Sequence, residues 1–212
     1  APPPPLPARN SSIQVKKKAF ELSPALRGTS IFVLGTPCPI KSSTAELLAD
    51  ELSYSYFDSD EVLVDAFGGE SAAKAAKESD EEGFRFAETE VFEQLSGMGQ
   101  LVVSAGDAAA QNPTNLGLLR HGIIVWIDVP LEMQPKSQLS EEDPTELAAA
   151  YQKIRDGYAN ADVKISLLTV AGIKGYDELD SVTPADMALE VLNEIEKLTR
   201  VKKMMEEAGR PF

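Results

Sequence analysis

The chain has 212 residues, 43% hydrophobic and 25% charged, the make-up of one globular domain with short appendages that folds without a disulfide or metal. Lys and Arg total 20 against 34 Asp and Glu, a net charge of −14, which argues against nucleic acid and anionic lipid as partners, because both demand a basic surface. One cysteine (Cys38) and one histidine (His121) exclude an internal disulfide, a His-rich metal site and a Cys/His zinc cluster, and no apolar run is long enough to span a bilayer.

In chain order, the first 20 residues carry no acid. Pro2 to Pro5, Pro7, Arg9, Ser11, Ser12 and Lys16-Lys17-Lys18 read as a Pro- and Lys-rich disordered arm over residues 1–25. An acid-free stretch with Ser and Lys is also the composition of a transit-peptide remnant. Ordered structure is expected over residues 26–212. Ile31-Phe32-Val33-Leu34, ended by Gly35, reads as a buried strand. Ser42–Leu52 has helical periodicity, and Tyr54–Phe57 reads as a second strand. Short helices follow at 61–67 and 71–77, split by Gly68-Gly69, and a longer one at Phe84–Leu95. The acidic cluster Ser79-Asp80-Glu81-Glu82 is a solvated helix start.

Leu101–Val103 and Gly122–Val129 are apolar on both faces, as strands inside a parallel sheet are. His121 reads as a surface loop residue and Trp126 as core. A polar loop runs from Pro130 to Pro144, then a helix to Tyr158 and a fifth strand over Val163–Leu168. The last helix has clear punctuation: Thr183 as N-cap, Pro184 in the first turn, Asp186 at the capping-box offset, and Gly209 and Pro211 as stops. Its apolar stripe is Ala188, Val191, Leu192, Ile195, Leu198, Val201 and Met205; packing on its own domain is the expected use, and a partner helix the other reading. Alternating strands and helices make this an α/β fold with a central parallel sheet of about five strands.

The turn after the first strand is the setting of a phosphate loop, whose pattern is G-x-x-x-x-G-K-[ST]. Gly35-Thr36-Pro37-Cys38-Pro39-Ile40-Lys41-Ser42 keeps the first Gly, the Lys and the Ser, but has Ile40 in place of the second Gly. Such a loop holds phosphate with consecutive backbone N–H groups. Pro37 and Pro39 have no N–H, and a β-branched Ile40 resists the conformations that Gly allows. A degraded phosphate site and a ligand-free strand-to-helix turn both remain open. Cys38 reads as a passive residue, with a redox role the alternative, since a helix N-terminus lowers a thiol pKa.

From about Leu26 to Leu198 the spacing resembles shikimate kinase, a P-loop kinase of the nucleoside-monophosphate-kinase type. The resemblance is carried by Phe57-Asp58-Ser59-Asp60, by Phe84-Arg85 followed by Glu88, and by Val125-Trp126-Ile127, in that order and spacing. It implies a three-layer P-loop kinase-like fold for residues 26–212, and roles for particular residues. Asp60 would accept hydrogen bonds from substrate hydroxyls. Arg85 would take a carboxylate with its planar fork, oriented by Glu88 three residues on. Asp58 would act near Mg²⁺ or the attacking hydroxyl, and Arg155, before Gly157-Tyr158, would match a substrate-binding arginine.

The departures are selective. Three glycines of the family correspond to Gly106-Asp107-Ala108, which puts a carboxylate beside the substrate site. The family's lid arginine has no counterpart in Pro130–Pro144, which offers Lys136, Glu141, Glu142 and Asp143. Phosphoryl transfer depends on positioning and charge neutralisation, and an acidic lid cannot supply the cationic clamp. This pattern, with the run Glu196-Lys197-Leu198-Thr199-Arg200-Val201-Lys202-Lys203-Met204-Met205, resembles the plant shikimate kinase-like proteins, inactive plastid paralogues. The resemblance implies a chloroplast protein without kinase activity, with a regulatory or interaction role such as plastid development and an unidentified protein partner. On that reading no cofactor is expected. The alternatives are a divergent ATP- and Mg²⁺-dependent kinase of a shikimate-like hydroxy acid, using Lys41 and Asp58, and a carboxylate-binding module without chemistry.

Overall fold

The computed structural model describes residues 8–133 and 144–209. Strands β1 (Ile31–Leu34), β2 (Ser55–Asp58), β3 (Leu101–Ser104), β4 (Ile123–Asp128) and β5 (Val163–Ser166) pair in the order β2-β3-β1-β4-β5, all parallel. The central β1 sets Ile31 between Val102 and Ile123, and all four of its residues are buried. Successive side chains point to opposite faces, so each strand feeds two cores. Ile31, Val33, Val125 and Ile127 face one apolar layer, and Phe32, Leu34, Ile124 and Trp126 the other.

Helices α1 (Ala8–Leu26), α2 (Pro39–Leu52) and α10 (Pro184–Ala208) contribute to the first layer. Helices α5 (Glu81–Met98) and α7 (Pro113–Leu119), and Tyr158 at the end of α8 (Pro144–Tyr158), close the second. Short helices α3 (Ser59–Phe67) and α4 (Glu70–Ser79) precede α5. Helix α6 (Ala108–Gln111) follows β3, and α9 (Leu167–Lys174) follows β5. The capping box of α10 forms as expected, with Thr183 and Asp186 exchanging side chain-to-backbone hydrogen bonds. Trp126 is core and His121 is exposed. Among the described residues no helix is long and apolar enough to cross a membrane.

Three expectations are corrected. Residues 8–26 are not a disordered arm but α1. Val15, Ala19, Leu22 and Leu26 recur at helical spacing and are buried against α10 and its neighbours, and Ser11 and Lys18 bond to Asp186 and Glu196 of α10. The fifth strand stops at Ser166, where the chain leaves the sheet and Leu167, Val170 and Ala171 turn inward as α9. Two helices were not read from the pattern. One is α7, started by Asn112, whose side chain accepts from Thr114 N–H, with Pro113 in its first turn; the other is α6, four residues long. The stripe of α10 also divides: Ala188 to Ile195 are buried, whereas Val201 and Met205 are exposed.

Candidate functional site

The carboxyl ends of parallel strands are where an open α/β sheet gathers ligand-binding groups, and here the predicted residues converge. Gly35 follows β1 with φ +139°, packed so closely on the Ile127 carbonyl that a Cβ would overlap it. Helix α2 begins at Pro39, preceded by Cys38 in extended conformation. Ile40 therefore lies in the first helical turn without a positive φ. The backbone strain expected at this residue does not arise, and its half-buried side chain packs on the first core. Ser42 N–H donates to the Cys38 carbonyl at 3.3 Å.

Lys41 is buried, and its Nζ donates to the Gly35 carbonyl at 2.9 Å and the Ala105 carbonyl at 2.6 Å. The amine so links the turn after β1 to the turn after β3. Burial lowers its pKa, while the charges of Asp107, Asp60 and Asp58 act to raise it. Burial likewise pushes the Cys38 thiol up, against the nearby backbone amides and the charge of Lys41. Its place at a helix N-terminus does not activate it.

The acids around Lys41 are held in different ways. Asp58 Oδ1 accepts from the N–H groups of Asp60 and Glu61, at 2.9 and 3.2 Å, and caps α3. Asp60 is exposed as a residue, yet its carboxyl oxygens lie against Gly106. Removal from water raises its pKa, the charge of Asp58 adds to this, Lys41 opposes, and Asp107 and Glu88 push further up. Gly106 N–H donates to Ser59 Oγ at 3.1 Å, and a Cβ at this glycine would overlap the Asp60 carboxyl. Close approach is thus retained at Gly106. Asp107 does not stand free in the site: the hydroxyl of the buried Tyr158 donates to its Oδ1 at 2.5 Å. Ala108 opens α6.

Arg85 Nη1 donates to both carboxylate oxygens of the buried Glu88, at 3.1 and 3.0 Å, and Glu81 lies 3.8 Å from Nη2. The i,i+3 pair expected from spacing forms. Arg155 lies at the end of β4, 3.6 Å from Asp128 and 5.6 Å above the Trp126 ring. Contacts thus tie Gly35, Lys41 and Ala105 together, and Asp58, Asp60, Ser59 and Gly106. Arg85 stands on α5 and Arg155 on α8. Lys136, Glu141, Glu142 and Asp143 of the expected lid lie outside the described residues. Sequence reasoning missed the tether from Tyr158 to Asp107, which joins positions 51 apart in the chain, and the hydroxyl of Ser59 under Gly106.

Comparison with known proteins agrees with this architecture. The family model for shikimate kinase matches residues 37–162. A protein of Arabidopsis thaliana, "Probable inactive shikimate kinase like 1, chloroplastic", is 53% identical over 93% of this chain and 73% of its own length. Shikimate kinase 2, chloroplastic, of Oryza sativa subsp. japonica is 35% identical over 88% of this chain and 66% of its own length. The chloroplast location expected from the resemblance is that of these plant relatives. Among solved structures, shikimate kinase from Aquifex aeolicus superposes with a TM-score of 0.64 at 25% identity, covering 79% of this chain and 96% of that one. Shikimate kinase from Acinetobacter baumannii, in complex with shikimate, shares the fold with a TM-score of 0.61 at 23% identity, over 82% of this chain and 97% of that one. The chain belongs to the shikimate kinase family.

Proposed function

We propose that this protein is a catalytically inactive shikimate kinase homologue with a regulatory or interaction role in the chloroplast, such as plastid development. The observation that carries the reading is the state of the phosphate loop. Two of its residues, Pro37 and Pro39, have no N–H to offer, and the amine of Lys41 is bonded to two backbone carbonyls, Gly35 and Ala105. A hydrogen bond to a charged group contributes about 1.5–3 kcal/mol, so each missing donor weakens nucleotide binding by roughly tenfold to a hundredfold. Asp107 adds a carboxylate that acts on Lys41, at a position where the family carries glycine. These residues do not fit ATP with Mg²⁺. Arg85, held by Glu88, is the group left to recognise a small carboxylate.

The test is calorimetric titration of the purified chain with ATP and Mg²⁺, with and without shikimate, alongside an ADP-release assay. The expected result is no binding heat for ATP at millimolar concentration and no turnover. Mg²⁺-dependent phosphotransfer lost in Lys41→Ala would overturn the proposal and establish a divergent kinase. Heat with shikimate alone, lost in Arg85→Ala, would instead identify a carboxylate-binding module.

A further inference from the structure

Helix α1 is fastened by contacts that a second copy of the chain could supply equally well. Its buried stripe of Val15, Ala19, Leu22 and Leu26 belongs to the first core, and the helix packs on α10 and α2. Its polar contacts run to the same region. Ser11 Oγ donates to Asp186 at 2.6 Å, Lys18 Nζ donates to Glu196 at 2.6 Å, and Lys174 Nζ donates back to Ser11 Oγ at 3.1 Å. All of these partners lie beyond β1 in the chain, and only residues 27–30 connect α1 to that strand.

The connection is short and held in a costly shape. Arg27 follows α1 with φ +50°, in the left-handed region that a residue with a Cβ enters at a cost, and Gly28 follows with φ +77°. Glycine usually takes the first left-handed position after a helix; here Arg27 holds it. Thr29 N–H donates to the Leu26 carbonyl at 2.9 Å and Gln100 N–H to the Gly28 carbonyl at 2.8 Å, which keeps the turn closed. A short connection under strain relaxes when it opens, and an opened connection delivers its helix to a neighbouring molecule.

We infer that α1 exchanges between two copies of this chain, each helix docking on α2 and α10 of the other. The occupant is α1 because that face already fits it: the apolar stripe and the bonds to Asp186 and Glu196 re-form unchanged across the dimer. The two hinges alone adopt a new shape. A short linker holds α1 beside its own body at an effective concentration of about millimolar. Release of Arg27 from the left-handed region favours exchange by about fivefold at each of the two hinges. Together these set the dimer Kd at about 10–100 μM. The exchange uses neither the phosphate loop nor Arg85 and stands whether or not the chain is a kinase.

The test is sedimentation equilibrium of the full chain over a concentration series, after long incubation so that α1 can leave its own body. The expected result is a monomer–dimer equilibrium. Lys18→Glu in one preparation and Glu196→Lys in another each set like charges between α1 and α10. Only an exchanged dimer of the two different variants restores opposite charges, and it does so at both contacts. Mixed in equal amounts, they should associate about a hundredfold more tightly than either alone, about tenfold for each restored contact. Arg27→Gly removes the strain that exchange relieves and should weaken the dimer by about twenty-five-fold. Circular dichroism of each variant checks that the fold is intact. A mixture that associates no more tightly than its parts would overturn the inference. So would a chain that stays monomeric up to about millimolar concentration, or an Arg27→Gly chain that dimerises as tightly as the unaltered one.

Discussion

Removing the carboxylate of Asp186 should loosen α1 on the body while leaving the sheet folded. Asp186 is buried, at 1% exposure. It accepts from Ser11 Oγ at 2.6 Å, Thr183 N–H at 3.0 Å and Tyr176 Oη at 3.2 Å, and Lys174 stands 3.6 Å away. Lys174 also donates to Ser11 Oγ at 3.1 Å, so one carboxylate joins α1, α9 and the start of α10. Ser11→Ala deletes one charge-assisted hydrogen bond, a cost of about 2 kcal/mol. Asp186→Ala strands Lys174 and the Ser11 hydroxyl and breaks the capping box, a cost of about 3–5 kcal/mol. Against this, α1 buries Val15, Ala19, Leu22 and Leu26, which contribute about 5–8 kcal/mol together. Ser11→Ala should therefore loosen α1 slightly, and Asp186→Ala should remove roughly a third to a half of what holds it. Hydrogen exchange over residues 8–26 reads this directly. Amide exchange there should quicken by about thirtyfold in Ser11→Ala, and more steeply in Asp186→Ala, while β1 and β3 stay protected.

The acid dependence has a definite sign. Burial raises the pKa of Asp186, but the bonds from Ser11 and Thr183 and the charge of Lys174 outweigh it and leave the pKa lowered. A carboxylate held below its unfolded value stabilises the fold above that value, and the contribution is lost as pH falls through the lower folded value. Docking of α1 should thus be constant from neutral pH to about pH 5 and fade only in stronger acid, below the ordinary aspartate range. Unchanged α1 exchange in Asp186→Ala would refute this account of how the helix is held.

Two further outcomes are expected. Gly106→Ala should destabilise the fold by no more than about 1 kcal/mol, because its Cβ would overlap only the carboxyl end of the exposed Asp60 side chain, which can turn away; urea denaturation reads this, and Asp60→Gly in the same chain should recover part of the loss. Cys38, buried with its thiol pushed up, should react with a thiol reagent at neutral pH far more slowly than free cysteine; labelling at the free-thiol rate would contradict its placement.

The parts of this fold that were legible in the chain are those whose signal is local. Ile31–Leu34, Leu101–Ser104 and Ile123–Asp128 are apolar on both sides because both sides are covered, and a buried strand has no other pattern. Thr183, Pro184 and Asp186 announce a helix start through bonds that span three residues. Pro37 and Pro39 lack an N–H in any fold, so the loss of phosphate donors is a property of the residues. The ion pair of Arg85 and Glu88 follows from one turn of helix.

What needed three dimensions were the relations between distant segments. Helix α1 reads as a loose arm because prolines crowd the sequence before it and no acid stands among the first 20 residues; its four apolar positions gain meaning only against α10, with Ser11 and Asp186 separated by 175 positions. Lys41 sits where a phosphate-binding lysine belongs, but only the folded turns show its amine bonded to Gly35 and Ala105. Asp107 reads as a charge thrust at a substrate until Tyr158 is found holding it. The stripe of α10 is continuous in sequence, yet the body of the protein ends near Leu198, so the same periodicity buries Ile195 and leaves Met205 in water. Periodicity states which side chains share a face. What covers that face depends on where the rest of the chain comes to lie.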